Sequence, residues 1–108
     1  MALIEREARI VNPLGMHARP AAEFVKLANR FKATISLRKG ELTVNGKSIM
    51  GVMMLAAECG SSLHIQTDGD DAAEAMEALL ALVAAGFYEM DLTGGETGEA
   101  ADAEEGTA

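Results

Sequence analysis

Tryptophan is absent from the chain, and tyrosine and cysteine each occur once. Without a set of aromatic platforms there is nothing on which single-stranded nucleic acid could stack, so nucleic acid is not an expected partner. The single Cys59 allows neither an internal disulfide nor a multi-cysteine metal site. It reads as a small buried hydrophobe in a reducing compartment. No apolar run approaches the ~20 residues of a membrane-crossing helix. Only three apolar residues separate Met1 from Glu5, too few for the core of a signal peptide. A soluble, cytoplasmic protein without membrane insertion is expected.

Basic residues are missing from one end. From Glu89 onward there are seven acidic residues and no Lys or Arg, whereas the rest of the chain holds ten acidic against nine basic. The formal charge of −8 therefore belongs to a tail, and the remainder is near neutral. That tail, "DLTGGETGEAADAEEGTA", offers a core almost nothing to bury and reads as disordered. The expected organisation is one domain over residues 1–88 and an acidic tail over 89–108. Apolar residues make up 49% of the chain, enough for a single aliphatic core.

Hydrophobic periodicity divides the domain into elements. In "LIEREARIV", Ile4, Ala8 and Ile10 alternate with Glu5, Glu7 and Arg9, as in a half-buried strand with Arg6 out of step. From Ala18 to Phe31 the period becomes helical, with Ala21, Phe24, Val25, Ala28 and Phe31 on one face. "ATISLRKGELTV" reads as a hairpin, Ile35 and Leu37 sharing a face with Leu42 and Val44 and Gly40 in the turn. A short helix follows Ser48, a good N-cap, with Val52, Leu55 and Ala56 toward the sheet. "SSLHIQT" alternates again, placing Leu63 and Ile65 inward and His64 and Gln66 outward. In "DGDD", Asp71 with Glu74 three residues later forms a capping-box pattern. The last helix buries Ala72, Met76, Leu79, Leu80 and Val83 and stops at Gly86.

The order βαββαβα, with every strand half polar, predicts an α+β fold. Its form is an open-faced two-layer sandwich, a four-stranded mainly antiparallel sheet with three helices on one face.

Between the first strand and the first helix lies "NPLGMHARPAA", and neither a turn nor a helix start requires its His17 or Arg19. His17 falls just before the first helical turn, where Ala18 and Arg19 present amides without intrahelical acceptors. Pro20 has no amide to lose. A helix N-terminus attracts an anion, and Arg19 adds a guanidinium, so a phosphoryl group carried on the His17 ring would be stabilised there. Such a transfer asks mainly for positioning and charge stabilisation. His64 has no helix end nearby and serves as the contrast. The two histidines have no ligand spacing that suggests a metal site.

"GMHARPAAEFVKLA", "VNGKSIMGVMMLAA" and "DGDDAAEAMEALLALV", in that order over about residues 3–88, resemble the HPr family. These are the histidine-containing phosphocarriers of the bacterial phosphoenolpyruvate:sugar phosphotransferase system. The resemblance implies a stoichiometric carrier rather than an enzyme, without cofactors, working as a monomer. It makes His17 the residue phosphorylated on Nδ1 by Enzyme I and relieved of its phosphate by IIA components during sugar uptake. It makes Arg19 the arginine that closes on the phosphate, Ser48 a site of regulatory phosphorylation, and Ile49, Met50 and Met53 a docking patch. Lys26, with Arg30 and Lys47, would add positive charge for steering partners. A carrier of the nitrogen-related branch and a module binding a transcriptional regulator through phosphorylated Ser48 are the alternatives. The latter would involve a serine kinase/phosphorylase. Family members that only regulate tend to lack the active histidine.

Overall fold

The computed structural model describes residues 3–88. The elements run β1 (Leu3–Arg9), α1 (Ala18–Ala28), β2 (Thr34–Lys39), β3 (Leu42–Asn45), α2 (Ile49–Met54), β4 (Ser62–Asp68) and α3 (Ala72–Ala84). A single turn, Gly86–Tyr88, follows α3. The proposed tail lies outside the described residues.

The strands lie in the order β1-β4-β2-β3, and every neighbouring pair is antiparallel. Alternation puts Ile35, Leu37, Leu63 and Ile65 on the inner face, each at most 1% exposed. Phe24 and Ala28 from α1, Val52 from α2 and Leu79 and Val83 from α3 complete one apolar cluster. Each large apolar side chain so buried contributes about 1.5–3 kcal/mol.

The edges account for the residues that broke the pattern. Arg6 pairs with Ile65, on the helix-facing side, yet stays exposed because β1 is an edge strand. Its guanidinium donates to the Glu5 carbonyl at 2.8 Å. An inward-pointing charge of this kind discourages edge-to-edge pairing with another sheet. Leu42 shares the inner face but lies on the other edge strand, opposite Lys39, and is 42% exposed.

Asp71 departs from expectation. It is the residue before α3, but its side chain makes no cap hydrogen bond. Its carboxylate accepts instead from the backbone amides of Lys32 and Ala33, both at 2.8 Å. A capping box is a local signal, and two unfilled amides in the turn after α1 outcompete it. Beside them, Lys47 donates to the Phe31 carbonyl at 2.7 Å. Thr67 is also buried, its hydroxyl donating to the Ala72 carbonyl at 2.9 Å. On α3, Leu80 is only half-buried, and Ala75 and Leu82 join the core instead.

The amide of Lys32, then those of Ala33 and Asp71 itself, and the charge of Lys47 hold the Asp71 carboxyl below its ordinary 3.8, against partial desolvation. The folded chain thus binds fewer protons at this group than the unfolded chain does. Its stabilisation is complete above 3.8 and is lost as pH falls through the lower folded value. Asp71→Asn is expected to lower the melting temperature near neutral pH, with the gap from the parent shrinking at about pH 2. An equal gap at both would show that the carboxylate charge plays no part.

Candidate functional site

The site is built on a turn at the end of the sheet. The sequence Asn12-Pro13-Leu14-Gly15 has Asn first, Pro second and Gly fourth, the preference of a type I turn. The Gly15 amide donates to the Asn12 carbonyl at 3.0 Å, closing it. Asn12 is fully buried and donates from Nδ2 to the Gly15 carbonyl at 2.7 Å. Met16 is buried, and its amide donates to the Ala57 carbonyl at 2.7 Å. Gly15 lies against the same carbonyl with φ +71, a conformation that L side chains rarely adopt.

His17 follows as the N-cap of α1, in extended conformation (φ −95, ψ −167), with no side-chain cap hydrogen bond. Its amide donates to the Gly15 carbonyl, and its own carbonyl accepts from Ala21, both at 3.0 Å. The remaining first-turn positions are Ala18, Arg19 and Pro20. Proline has no N–H, so two amides, those of Ala18 and Arg19, are left at the positive end of the helix. Both residues are exposed, His17 is half-buried, and no acidic residue occupies the first turn. The imidazole therefore stands at a helix end that favours an anion, beside the exposed guanidinium-bearing Arg19.

α2 borders this loop, and the two helices are antiparallel neighbours. The residues after α2 bond to Met16, while Lys47 before α2 bonds to Phe31 after α1. Ser48 caps α2 as expected, its Oγ accepting from the Gly51 amide at 3.1 Å. Val52 and Leu55 face the core, but Ala56 does not. The helix ends at Met54, Ala56 takes a left-handed φ of 48 and is exposed, and Ala57 goes inward. Ile49, Met50 and Met53 are exposed, and so are Met54 and Leu14, which the sequence reading did not single out.

Ser48 and the His17 loop thus lie at opposite ends of α2, with the apolar face between them. Lys26 is exposed in the last turn of α1, about 10 Å along the axis from Arg19. The spacing of Arg19 and Lys26 places both on one exposed face of α1, and Arg30, also exposed, lies in the turn just after that helix.

Cys59 is exposed rather than buried, its thiol 3.8 Å from the Val11 carbonyl. The backbone of its loop is tied to the sheet through Gly60 and Ile10, which leaves the thiol outward. His64 lies on the helix-free face of the sheet, opposite Glu7 and Arg38, remote from His17. Among the described residues no three His, Cys, Asp or Glu side chains could hold a metal ion. None of the helices there is long and apolar enough to cross a membrane.

The family model described as "PTS HPr component phosphorylation site" matches residues 4–85. The chain belongs to the HPr family. The phosphocarrier protein HPr of Cupriavidus necator is 47% identical over 87 residues, covering 81% of this chain and 98% of that one. The HPr-like protein Crh of Halalkalibacterium halodurans is 46% identical over 81 residues, covering 75% and 96%. The crystal structure of HPr from Bacillus anthracis superposes with a TM-score of 0.73 at 49% identity, covering 77% and 99%. Fold and membership of the phosphotransferase family agree with the expectation from the sequence. What HPr motifs alone did not reveal is the support of the loop. The contact of Gly15 and Met16 with Ala57 joins segments far apart in the chain.

Proposed function

We propose that this chain accepts a phosphoryl group from phosphorylated Enzyme I on Nδ1 of His17 and passes it to IIA components in sugar uptake. The nitrogen lone pair forms the new P–N bond as the donor's P–N bond breaks. The Ala18 and Arg19 amides and the Arg19 guanidinium receive the charge of the bound phosphoryl group. The observation that carries the reading is His17 at the N-cap of a helix whose first turn has unfilled amides and no acid.

Ile49, Met50 and Met53, extended by Met54 and Leu14, form the docking face. Arg19, Lys26 and Arg30 would steer acidic partners toward it. The carrier works as a single copy, in the cytoplasm, and residues 89–108 are an appended acidic segment outside the domain. Incubation with Enzyme I and labelled phosphoenolpyruvate tests the reading. Acid-labile, base-stable label on the chain is expected, and no label would overturn it.

The resemblance to Crh and the position of Ser48 favour a second role, regulation through phosphorylation of Ser48. A phosphate brings roughly two negative charges to a helix N-terminus, which favours them. The fold would gain or tolerate it, while Ile49 and Met50 would acquire a charge that must be desolvated on docking. Ser48→Asp is expected to keep the melting temperature and to slow acceptance from Enzyme I roughly tenfold by weaker binding. Ser48→Ala loses about 1 kcal/mol of cap stability with acceptance nearly intact. If Ser48→Asp accepts phosphate as fast as the parent, the serine is a cap alone.

A further inference from the structure

α2 shows solvent four apolar side chains: Met50 (77% exposed), Met54 (64%), Ile49 (44%) and Met53 (41%). Three of the four are thioethers. Val52 and Leu55 alone hold the helix to the core, and the other described methionines, Met16 and Met76, are each 4% exposed. Oxidisable sulfur is thus gathered on one accessible face and screened elsewhere in the described residues. Met53 and Met54 lie at the end of α2 that abuts the His17 loop, and Met50 lies one turn earlier.

A hydroperoxide oxidises a thioether by oxygen transfer. The sulfur lone pair forms the S–O bond as the peroxide O–O bond breaks, so sulfur is oxidised to the sulfoxide and the peroxide leaves as water or an alcohol. The product is a polar group in place of an apolar one, and enzymatic reduction reverses it. In the core such a change would disrupt packing. On this face it meets water, so the fold survives and the loss appears only when a partner must desolvate the sulfoxide.

We infer that Met50, Met53 and Met54 form a reversible modification site for hydroperoxides, which switches off docking at the face beside His17. This rests on the docking role proposed for that face. Substitution of a flexible thioether by a fixed polar dipole also removes the adaptability that lets one surface fit several partners.

The test uses the full chain carrying Cys59→Ser, which removes the competing exposed thiol. After limited hydrogen peroxide, peptide masses are expected to show sulfoxide at Met50, Met54 and Met53 well before Met16 and Met76. The circular dichroism spectrum and melting temperature should hold, while acceptance of label from Enzyme I slows roughly tenfold. Treatment with both stereospecific sulfoxide reductases restores it. A chain also carrying Met50→Leu, Met53→Leu and Met54→Leu is expected to show no peroxide-dependent loss relative to its own untreated sample. Met1 and Met90 are present in both chains, so their oxidation cancels in that comparison.

Sulfoxide at the three positions with an unchanged rate would overturn the switch alone, as would equal oxidation of Met16. A peroxide loss of the same size in the leucine chain would overturn it too. Failure of the untreated chain to take up any label would overturn the proposed carrier function, and the switch with it.

Discussion

His17→Ala is expected to take up no label from phosphoenolpyruvate and Enzyme I while keeping its fold. Two backbone bonds position residue 17, its amide to the Gly15 carbonyl and its carbonyl from the Ala21 amide, and alanine can make both. Its side chain makes no cap hydrogen bond whose loss would weaken α1. The imidazole nitrogen, by contrast, has no substitute as the atom to which phosphorus bonds. Two companion variants sharpen the result. His64→Ala, on the far face of the sheet, should label like the parent. Arg19→Ala should label more slowly, by about tenfold, since an exposed guanidinium is worth less than a buried donor of charge stabilisation. Label on the His17 variant would sink the proposal.

Gly15→Ala is the second large effect, and it acts through shape. A Cβ at Gly15 would lie 2.4 Å from the Ala57 carbonyl oxygen and 3.0 Å from the Glu58 Cα. Neither atom belongs to a flexible side chain that could swing aside. The left-handed backbone conformation adds its own penalty for any residue with a Cβ. Together these are expected to cost roughly 3 kcal/mol. For a domain of this size that is a fall in melting temperature of about 10–20 °C. The turn that precedes His17 would move with it, so acceptance of label should drop even where the chain remains folded. Thermal unfolding and the transfer rate measured on one sample check both parts. A parent-like melting temperature would mean that the loop yields at no cost.

Much of this molecule could be read before its structure, because the signals concerned were local. The period of two around Leu63 and Ile65, the period of 3.6 around Phe24, and Ser48 ahead of a short helix all depend on near neighbours along the chain. Where partners come from afar, the local signal misled. Asp71 looked like a capping-box residue until the amides of Lys32 and Ala33 claimed it. Ala56 looked like the continuation of a helix that the left-handed turn at that residue in fact ends. Cys59 looked like a core thiol by the habits of its residue type, yet its loop turns it outward. At the candidate site, composition and motif pointed to His17 and Arg19 but not to the floor beneath them. Asn12, buried in a turn, and Ala57, from the other half of the chain, provide that floor.

The dependence of Met16 on Ala57 has a consequence for how the protein comes into being. β1 pairs with β4, and next to that pairing the Ile10 amide donates to the Ser61 carbonyl while the Ile10 carbonyl accepts from the Gly60 amide. A chain growing from its N-terminus therefore displays His17 long before the floor of its cradle has been synthesised. The hydrogen bonds within helix α1 are local and can form early, but the turn in front of it closes only across the roughly 40 residues between Met16 and Ala57. Closing so long a loop is entropically slow, and it comes after the local contacts. Competence for phosphoryl transfer would then arrive with the last strand, as a property of the finished chain and not of the motif that bears the histidine.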